Sequence, residues 1–432
     1  IPNKQVMPIL FKNRKSESAI KKLNLDSEWS KIGYNVKINI IPKLVKPKIQ
    51  DKIAISYREF TPPPPTIIEA KEAVVRDHNP YSFSYYSINQ GLNSSQIRHV
   101  TSDEKGYLWL ASDYGLVRFD GKFFHHFNND HLLPSSLILH LMFDNKNSMW
   151  ISTFRGGLLR YDGDKFYNYS SKNGFIDDIV NQTFQDSNGY IWVATHSGLV
   201  KIDGDYMLNY TQQEGLSGKD IRYVTEDNNG RIWVATADRG ITIIDEDNFL
   251  IIDKSCGLPS NYVDKLFKDS QGRIWIVMGS NGLVIYDGND FIKLSNESGL
   301  PSNMVQDVYE DNLGNIWVSY SDAGISLMAG DKIFNYSEYS GVPTSYIRCT
   351  YQDRFGNMWF GSRNSGLIKF SGNTVTHLSK SQGLSGDRVI SLLYDQNDIW
   401  AGTFGDYITK ISIDSQGMPE SFTVIDRDFG LL

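Results

Sequence analysis

Short apolar runs alternate with polar turns along most of the chain. "RIWVAT" at 231–236 and "GLVIYDG" at 282–288 are β-branched and aromatic, and Gly, Asn and Asp bound them. That is the pattern of strands rather than helices. It returns on a fixed period: Trp109, Trp150, Trp192, Trp233, Trp275, Trp317, Trp359 and Trp400 stand 41 or 42 residues apart, with Trp29 outside the series. Strand-like units on such a period predict propeller blades. Each unit reads as four strands. In the fifth, "NYVDKLFKD" is the inner strand, "RIWIVMG" the second, "GLVIYDG" the third and "FIKLS" the outer one, after which "ESGLPSN" leads onward.

The turn before each tryptophan has a mechanism. An Asp six residues before Trp (Asp269 before Trp275) accepts backbone N–H groups as an Asx-turn does. A Gly three residues before Trp supplies a positive φ, and Asn147 takes that place in the second unit. Gly115, Gly157, Gly198, Gly240, Gly282, Gly324 and Gly366 each open a third strand. Each tryptophan is expected to wedge between neighbouring blades.

The fold class that follows is all-β: a propeller of about eight four-stranded blades over residues 81–432, with repeats starting near 91, 132, 174, 215, 257, 299, 341 and 383. An outer-type strand, "YSFSYYS", precedes the first repeat, and another, "SFTVI", ends the last. The simplest closure is one eight-bladed ring sealed by the N-terminal strand. The alternative is a seven-bladed ring with the eighth repeat starting a second propeller, which the final "DFGLL" favours in a chain that continues.

Residues 1–80 do not repeat. They form a Lys- and Pro-rich, extended N-terminal arm with "TPPPPT" at 61–66. "DKIAISYREF" at 51–60 reads as an edge strand, and the arm as a tether that wraps the ring or stays loose, or as a docking segment for a partner. Residues 1–50 carry 11 Lys/Arg against 3 Asp/Glu, while residues 81–432 carry 28 against 42. An acidic body argues against nucleic acid. No run of about 18 apolar residues offers a membrane span. Cys256 and Cys349 fall in different repeats and read as free buried thiols.

Catalytic signatures are missing: there is no G-x-S-x-G, H-E-x-x-H, P-loop or C-x-x-C. No catalytic residue, metal ligand or cofactor is assigned; His125 and His126 read as exposed imidazoles on an outer strand. Blade topology puts the outer-to-inner and second-to-third loops on one face. The second-to-third loops hold their frame but vary in residue: "SDY" 112–114, "FRG" 154–156, "HS" 196–197, "DR" 238–239, "SN" 280–281, "SD" 321–322, "RN" 363–364 and "FGD" 404–406. Loops on a rigid scaffold carry specificity. Arg155, His196, Arg239, Asn281, Asp322, Arg363 and Phe404 are therefore candidates to ring one mouth, joined by Arg98, Arg222, Tyr223 and Arg348 from the starts of inner strands. Arginine forks suit carboxylate or sulfate oxygens. The competing reading pairs these charges locally with Asp113, Asp238 or Asp406.

The unit, GL-(S/P)-x-x-x-(V/I) followed by D-x-x-G-x-(I/L)-W-(V/F)-(A/G)-T-x-x-G-L-x-x-(F/Y)-D-G, resembles the two-component regulator propeller repeat. "QGLNSSQIRHVTSDEKGYLWLASDYGLVRFDGKFFHHF" at 90–127 is similar to that family's opening blade. The resemblance implies an extracytoplasmic sensor of a bacterial signalling protein that binds an oligosaccharide or other polar ligand, in a family whose sensors often dimerise. Two other functions compete: an envelope-assembly subunit that meets a protein partner through residues 1–80, and a propeller lyase of the streptogramin-lyase type.

Overall fold

The structure is a computed structural model that describes residues 30–34, 36–48, 51–75, 81–246, 248–344, 346–372, 378, 380, 383–395, 398–404, 407–413 and 419–425. The chain divides into two compact units, Glu28–Asn373 and, separately, Ile1–Ser27 with Thr374–Leu432.

The larger unit contains seven antiparallel sheets, called blades 1 to 7 here. Their inner strands are Ile97–Ser102, Ile138–Phe143, Val180–Gln185, Ile221–Glu226, Lys265–Lys268, Val305–Glu310 and Ile347–Gln352. Each inner strand neighbours the next, and the seventh neighbours the first, so the cycle closes. Within the larger unit these seven described sheets complete the cycle. The seal is the N-terminal strand Phe83–Tyr86, which pairs with Leu367–Phe370 as the outer strand of blade 7. Tyr86 stands opposite Leu367 just as Tyr169 stands opposite Leu158 in blade 2. The glycines report the same equivalence. A Cβ on Gly157, at φ +78°, would lie 2.2 Å from the Tyr169 carbonyl oxygen; one on Gly366, at φ +74°, would lie 2.1 Å from that of Tyr86.

The second strand of each blade is buried on both faces, as in Ile191–Thr195 and Ile232–Thr236. This explains their continuous apolar runs, because a blade interior is sandwiched between its neighbours. Trp275 is fully buried among residues of blades 5 and 6 such as Val305 and Val318. Burying about 200 Å² of indole contributes on the order of 5 kcal/mol of transfer free energy. The tryptophan does wedge between blades, and its indole N–H donates to the turn aspartate in all seven: at 2.8 Å from Trp275 to Asp269, and at 2.7 Å from Trp359 to Asp353. Asn147 has φ +60°, as its place in the turn requires. Cys256 and Cys349 are free and buried.

The arm is a belt. Ser30–Lys31, Lys37–Ile38, Lys43–Val45, Ile53–Ala54, Arg58–Phe60 and Thr66–Glu69 add a fifth strand to blades 6, 5, 4, 3, 2 and 1 in that order. Its lysines meet carboxylates of the ring, in Lys37–Asp290, Lys43–Asp253 and Lys52–Asp203. Part of the charge asymmetry of the sequence is thus internal complementarity. The belt also corrects the reading of His125 and His126. Strand Thr66–Glu69 lies against them, and both are buried; His125 Nε2 is 2.9 Å from Asp120 and His126 Nε2 2.9 Å from the Gly91 carbonyl.

The smaller unit contains the four-stranded sheet of the eighth repeat, Val389–Asp395, Asp398–Thr403, Ile408–Ile413 and Pro419–Ile425. Leu384, Ala401, Ile411 and Phe422 form its small core. Its first strand is exposed throughout, Ile390, Leu392 and Leu393 included. Trp29, "DFGLL", Asp406 and the loop tip at 405–406 lie outside the described residues. Among the described residues no helix is long and apolar enough to cross a membrane.

Candidate functional site

Six of the seven inner strands carry a β-bulge next to their first aliphatic residue, as between Ile97 and His99 and between Ile347 and Cys349. Bulges re-aim side chains. Arg98, Arg222 and Arg348 occupy the bulge and reach toward the loops of one face. The next residue in each strand, and its counterpart in blade 5, points to the axis of the ring. These are His99, His140, Gln182, Tyr223, Lys265, Asp307 and Cys349.

Contacts between non-adjacent blades establish the convergence. The rings of His140 in blade 2 and Tyr223 in blade 4 have centroids 6.0 Å apart, although blade 3 lies between them. Lys265 in blade 5 donates to the Arg348 carbonyl of blade 7 at 3.2 Å, and to Asp307 at 3.0 Å. His99 and His140 lie ring to ring at 4.1 Å. Gln182 is spent on the backbone, accepting from Val224 N–H at 3.0 Å and donating to the Thr183 carbonyl at 3.0 Å.

Burial governs the protonation of this cluster. It pushes His99 down to about 3, with Lys265 adding to the effect, and pushes His140 well below its ordinary value, with His99 and Lys265 adding. It pushes Tyr223 and Cys349 up to about 12. For Lys265 burial is the largest influence and acts downward, but the Asp307 carboxylate together with Tyr223 and Cys349 outweighs it, and the ammonium is held above its ordinary value. Burial also pushes Asp307 up, against Lys265, so the two directions oppose each other within one pair. We assign the pair as charged, because Asp307 accepts both from Lys265 and, at 2.7 Å, from the Thr350 N–H.

Around the mouth, backbone bonds in blades 2, 3, 4, 6 and 7 tie the second-to-third loop to the segment before the inner strand of the same blade. His196 N–H donates to the Ile179 carbonyl, and Arg363 N–H to that of Tyr346. The shared face is therefore as the topology required. Local pairing uses up several candidates: Arg98 bonds Asp113 at 2.5 Å, His196 lies 3.5 Å from Asp220, Arg222 3.9 Å from Asp264, and Arg239 3.6 Å from Asp238. Arg155, at φ +66°, stacks on Phe154. Asn281 and Asp322 are exposed on their loops. Arg348 and Arg363 both lie over the Tyr346 ring, at 5.6 and 5.0 Å from its centroid. Arg348 Nη1 is buried without a hydrogen-bond partner among the described residues. Burial, then the nearby Arg98, lowers the Arg348 guanidinium. Arg98, Arg348 and Arg363 thus form one basic cluster at the meeting of blades 7 and 1, with Asp113 as its acid. Phe404 belongs to the eighth sheet, where Arg388 stacks on it at 4.5 Å.

Of the axial residues, sequence reasoning reached only Tyr223. The signal available was a polar or ionisable residue two places after the first aliphatic of each inner strand, recurring every 41 or 42 residues. Among the described residues no group of three or more His, Cys, Asp or Glu could hold a metal ion.

These features define a β-propeller with a polar axis and a basic patch on one mouth. The family described as two component regulator propeller matches residues 174–197, 215–238, 257–279, 299–322 and 341–364, the entry turn through the second strand of blades 3 to 7. Those five repeats are two-component regulator propeller repeats. No curated protein matches its sequence. Among solved structures, it is similar to the extracellular domain of a protein described as a hybrid two component system of B. thetaiotaomicron (23% identity, 77% of this chain, 48% of that one, TM-score 0.60). Virginiamycin B lyase from Staphylococcus aureus is also similar (13%, 70% and 99%, TM-score 0.51). So is PorZ, a surface component of the type-IX secretion system of Porphyromonas gingivalis (15%, 77% and 54%, TM-score 0.53). At these identities the likeness is one of fold. The chain spans about half the length of the solved B. thetaiotaomicron domain and P. gingivalis chain.

Proposed function

We propose that this chain is the ligand-sensing part of a bacterial signalling protein, placed outside the cytoplasm and without catalysis of its own. It binds an oligosaccharide or another polar ligand on the mouth face. The observation that carries this reading is the Arg98–Arg348–Arg363 cluster, where a guanidinium nitrogen is buried with its hydrogen bond unmade on the scaffold of a two-component regulator propeller. An unpaired buried donor costs on the order of 1–3 kcal/mol, which an anionic or hydroxyl-bearing ligand returns. The similarity of fold to an extracellular domain supports the extracytoplasmic placement.

The test is a thermal-shift screen of the chain against charged and neutral oligosaccharides. Binding to the native state raises the melting point by linkage. One class of glycan should raise it, and Arg348→Ala or Arg363→Ala should remove the rise. A flat response across the panel would count against the sensor reading and favour a protein partner.

A further inference from the structure

The mouth arginines leave the axis below them unexplained. His99 Nδ1 and His140 Nδ1 are both buried without a hydrogen-bond partner among the described residues, and their rings are in contact. Buried imidazole nitrogens in this state are free to meet a bound group. Beside them stands Lys265, an ammonium with three N–H donors. Two are spent, on Asp307 and on the Arg348 carbonyl, which leaves one. Tyr223 closes the opposite side, with its ring 6.0 Å from that of His140. Lys265 keeps 21% of its side chain exposed in the midst of the ring, so solvent reaches the axis there.

We propose that the axis of the ring is a second binding site, which takes a small carboxylate between the His99 and His140 imidazoles and the free N–H of Lys265. The chemistry of the walls selects that class. An ammonium and two imidazoles can all act as donors, and the one anion present, Asp307, is already neutralised by Lys265. Filling the axis with a neutral molecule would leave the charge balance as it is. Filling it with a carboxylate adds a negative charge that an imidazole can answer by taking up a proton. The titratable and charged groups facing the two histidines are Lys265, Asp307, Tyr223 and Cys349, with Arg98 and Arg348 at the mouth above. Of these, the imidazoles are the bases held neutral at pH 7 by burial. Binding should therefore be coupled to proton uptake and tighten as the pH falls. The mouth arginines, which stay charged, would give no such dependence.

The site is separate from the mouth patch, so its test is separate too. The protein contains eight histidines, few enough for their ring signals to be assigned by substitution. The full chain, labelled at histidine, is titrated by NMR with sodium acetate, and with acetamide as the neutral isostere, from pH 7.5 down to 5.5. Acetate should shift the His99 and His140 signals saturably, and its apparent Kd should fall by up to about tenfold per pH unit. Acetamide should leave them in place. His140→Asn should abolish the response of His99, and independently Lys265→Met combined with Asp307→Asn should abolish the response of both imidazoles. Equal shifts with acetamide, no saturable shift with acetate, or an unaltered response in the double variant would each overturn the proposal. An oligosaccharide found in the thermal-shift screen that still bound His140→Asn at wild-type strength, with no acetate effect, would leave the sensor reading standing and remove the axial site alone.

Discussion

Trp275 Nε1 donates to Asp269 Oδ2 at 2.8 Å, while Asp269 Oδ1 accepts the backbone N–H groups of Gln271 and Arg273 at 3.1 and 2.9 Å. One carboxylate thus fixes a turn and orients the indole that separates two blades. The same arrangement recurs with Asp227 and Trp233 and with Asp311 and Trp317. Asp269→Ala should destabilise the protein by about 2–4 kcal/mol, since it orphans several donors around a buried site. Asp269→Asn keeps one acceptor oxygen and should cost less. Denaturant unfolding followed by tryptophan fluorescence ranks the two; equal stability in both would mean that the turn, not the carboxylate, sets the indole.

The Lys265–Asp307 pair sits among neutral groups at the centre of the ring. Removing one partner leaves a buried charge, so Asp307→Ala should cost about 3–5 kcal/mol. Lys265→Met combined with Asp307→Leu should recover most of that loss. A double-mutant cycle by chemical denaturation reads the coupling directly.

The histidine pair makes stability depend on acid. His99 is held at about 3, against about 6.5 in an unfolded chain. The unfolded state therefore binds more protons below pH 6.5, and native stability falls as the pH drops from 6.5 toward 3. Each such imidazole should contribute up to about 1.4 kcal/mol per pH unit over that window. Comparing unfolding free energies at pH 7 and pH 5, the wild type should lose about 2 kcal/mol more than His99→Asn.

The belt is fastened partly by exposed ion pairs, Lys37–Asp290, Lys43–Asp253, Lys52–Asp203 and Lys165–Glu59. Salt screens such pairs. Hydrogen exchange should show faster amide exchange in residues 30–69 than in the inner strands, and salt should accelerate the belt selectively. One contact that resists salt is Phe60 stacked on Phe166 with ring centroids 5.5 Å apart, so Phe60→Ala should loosen the belt at blade 2 at any ionic strength.

Much of the ring was legible because its constraints are local and repeated. The Asp-to-Trp spacing and the glycine before each third strand are fixed by turns, and turns read from short windows. Closure was not local. Whether "YSFSYYS" seals the seventh blade or an eighth depends on how many sheets fill the circle, which no single repeat reports. The belt was half visible: "DKIAISYREF" read as an edge strand and pairs as two, Ile53–Ala54 and Arg58–Phe60, on successive blades. His125 and His126 were misplaced for the same reason, since their cover comes from residues about 60 positions earlier. The axial residues were hidden by the bulges, which break the alternation of side chains at the point where it would show who faces the axis. Arg98 and Arg348 stood out by charge; Lys265 and Asp307, two of the strongest features of the axis, read as ordinary polar positions in half-buried strands.

The direction of the belt has a consequence for synthesis. The belt is made before the ring, yet its earliest described strand, Ser30–Lys31, must wait for a partner some 300 residues downstream, with Ser30 Oγ bonding the Ile333 carbonyl. Thr66–Glu69 finds its partner first, on blade 1, and each later blade captures a stretch nearer the N-terminus. The nascent chain is therefore laced from the inside out, with the belt strand made first drawn in last. Blade 7 seals only when Leu367–Phe370 meets a strand made nearly 300 residues before it. Until that moment every intermediate carries an unsealed sheet edge, the kind of surface that invites wrong pairing. Completion of the circle is thus also the point at which the seventh blade stops offering that edge to wrong partners.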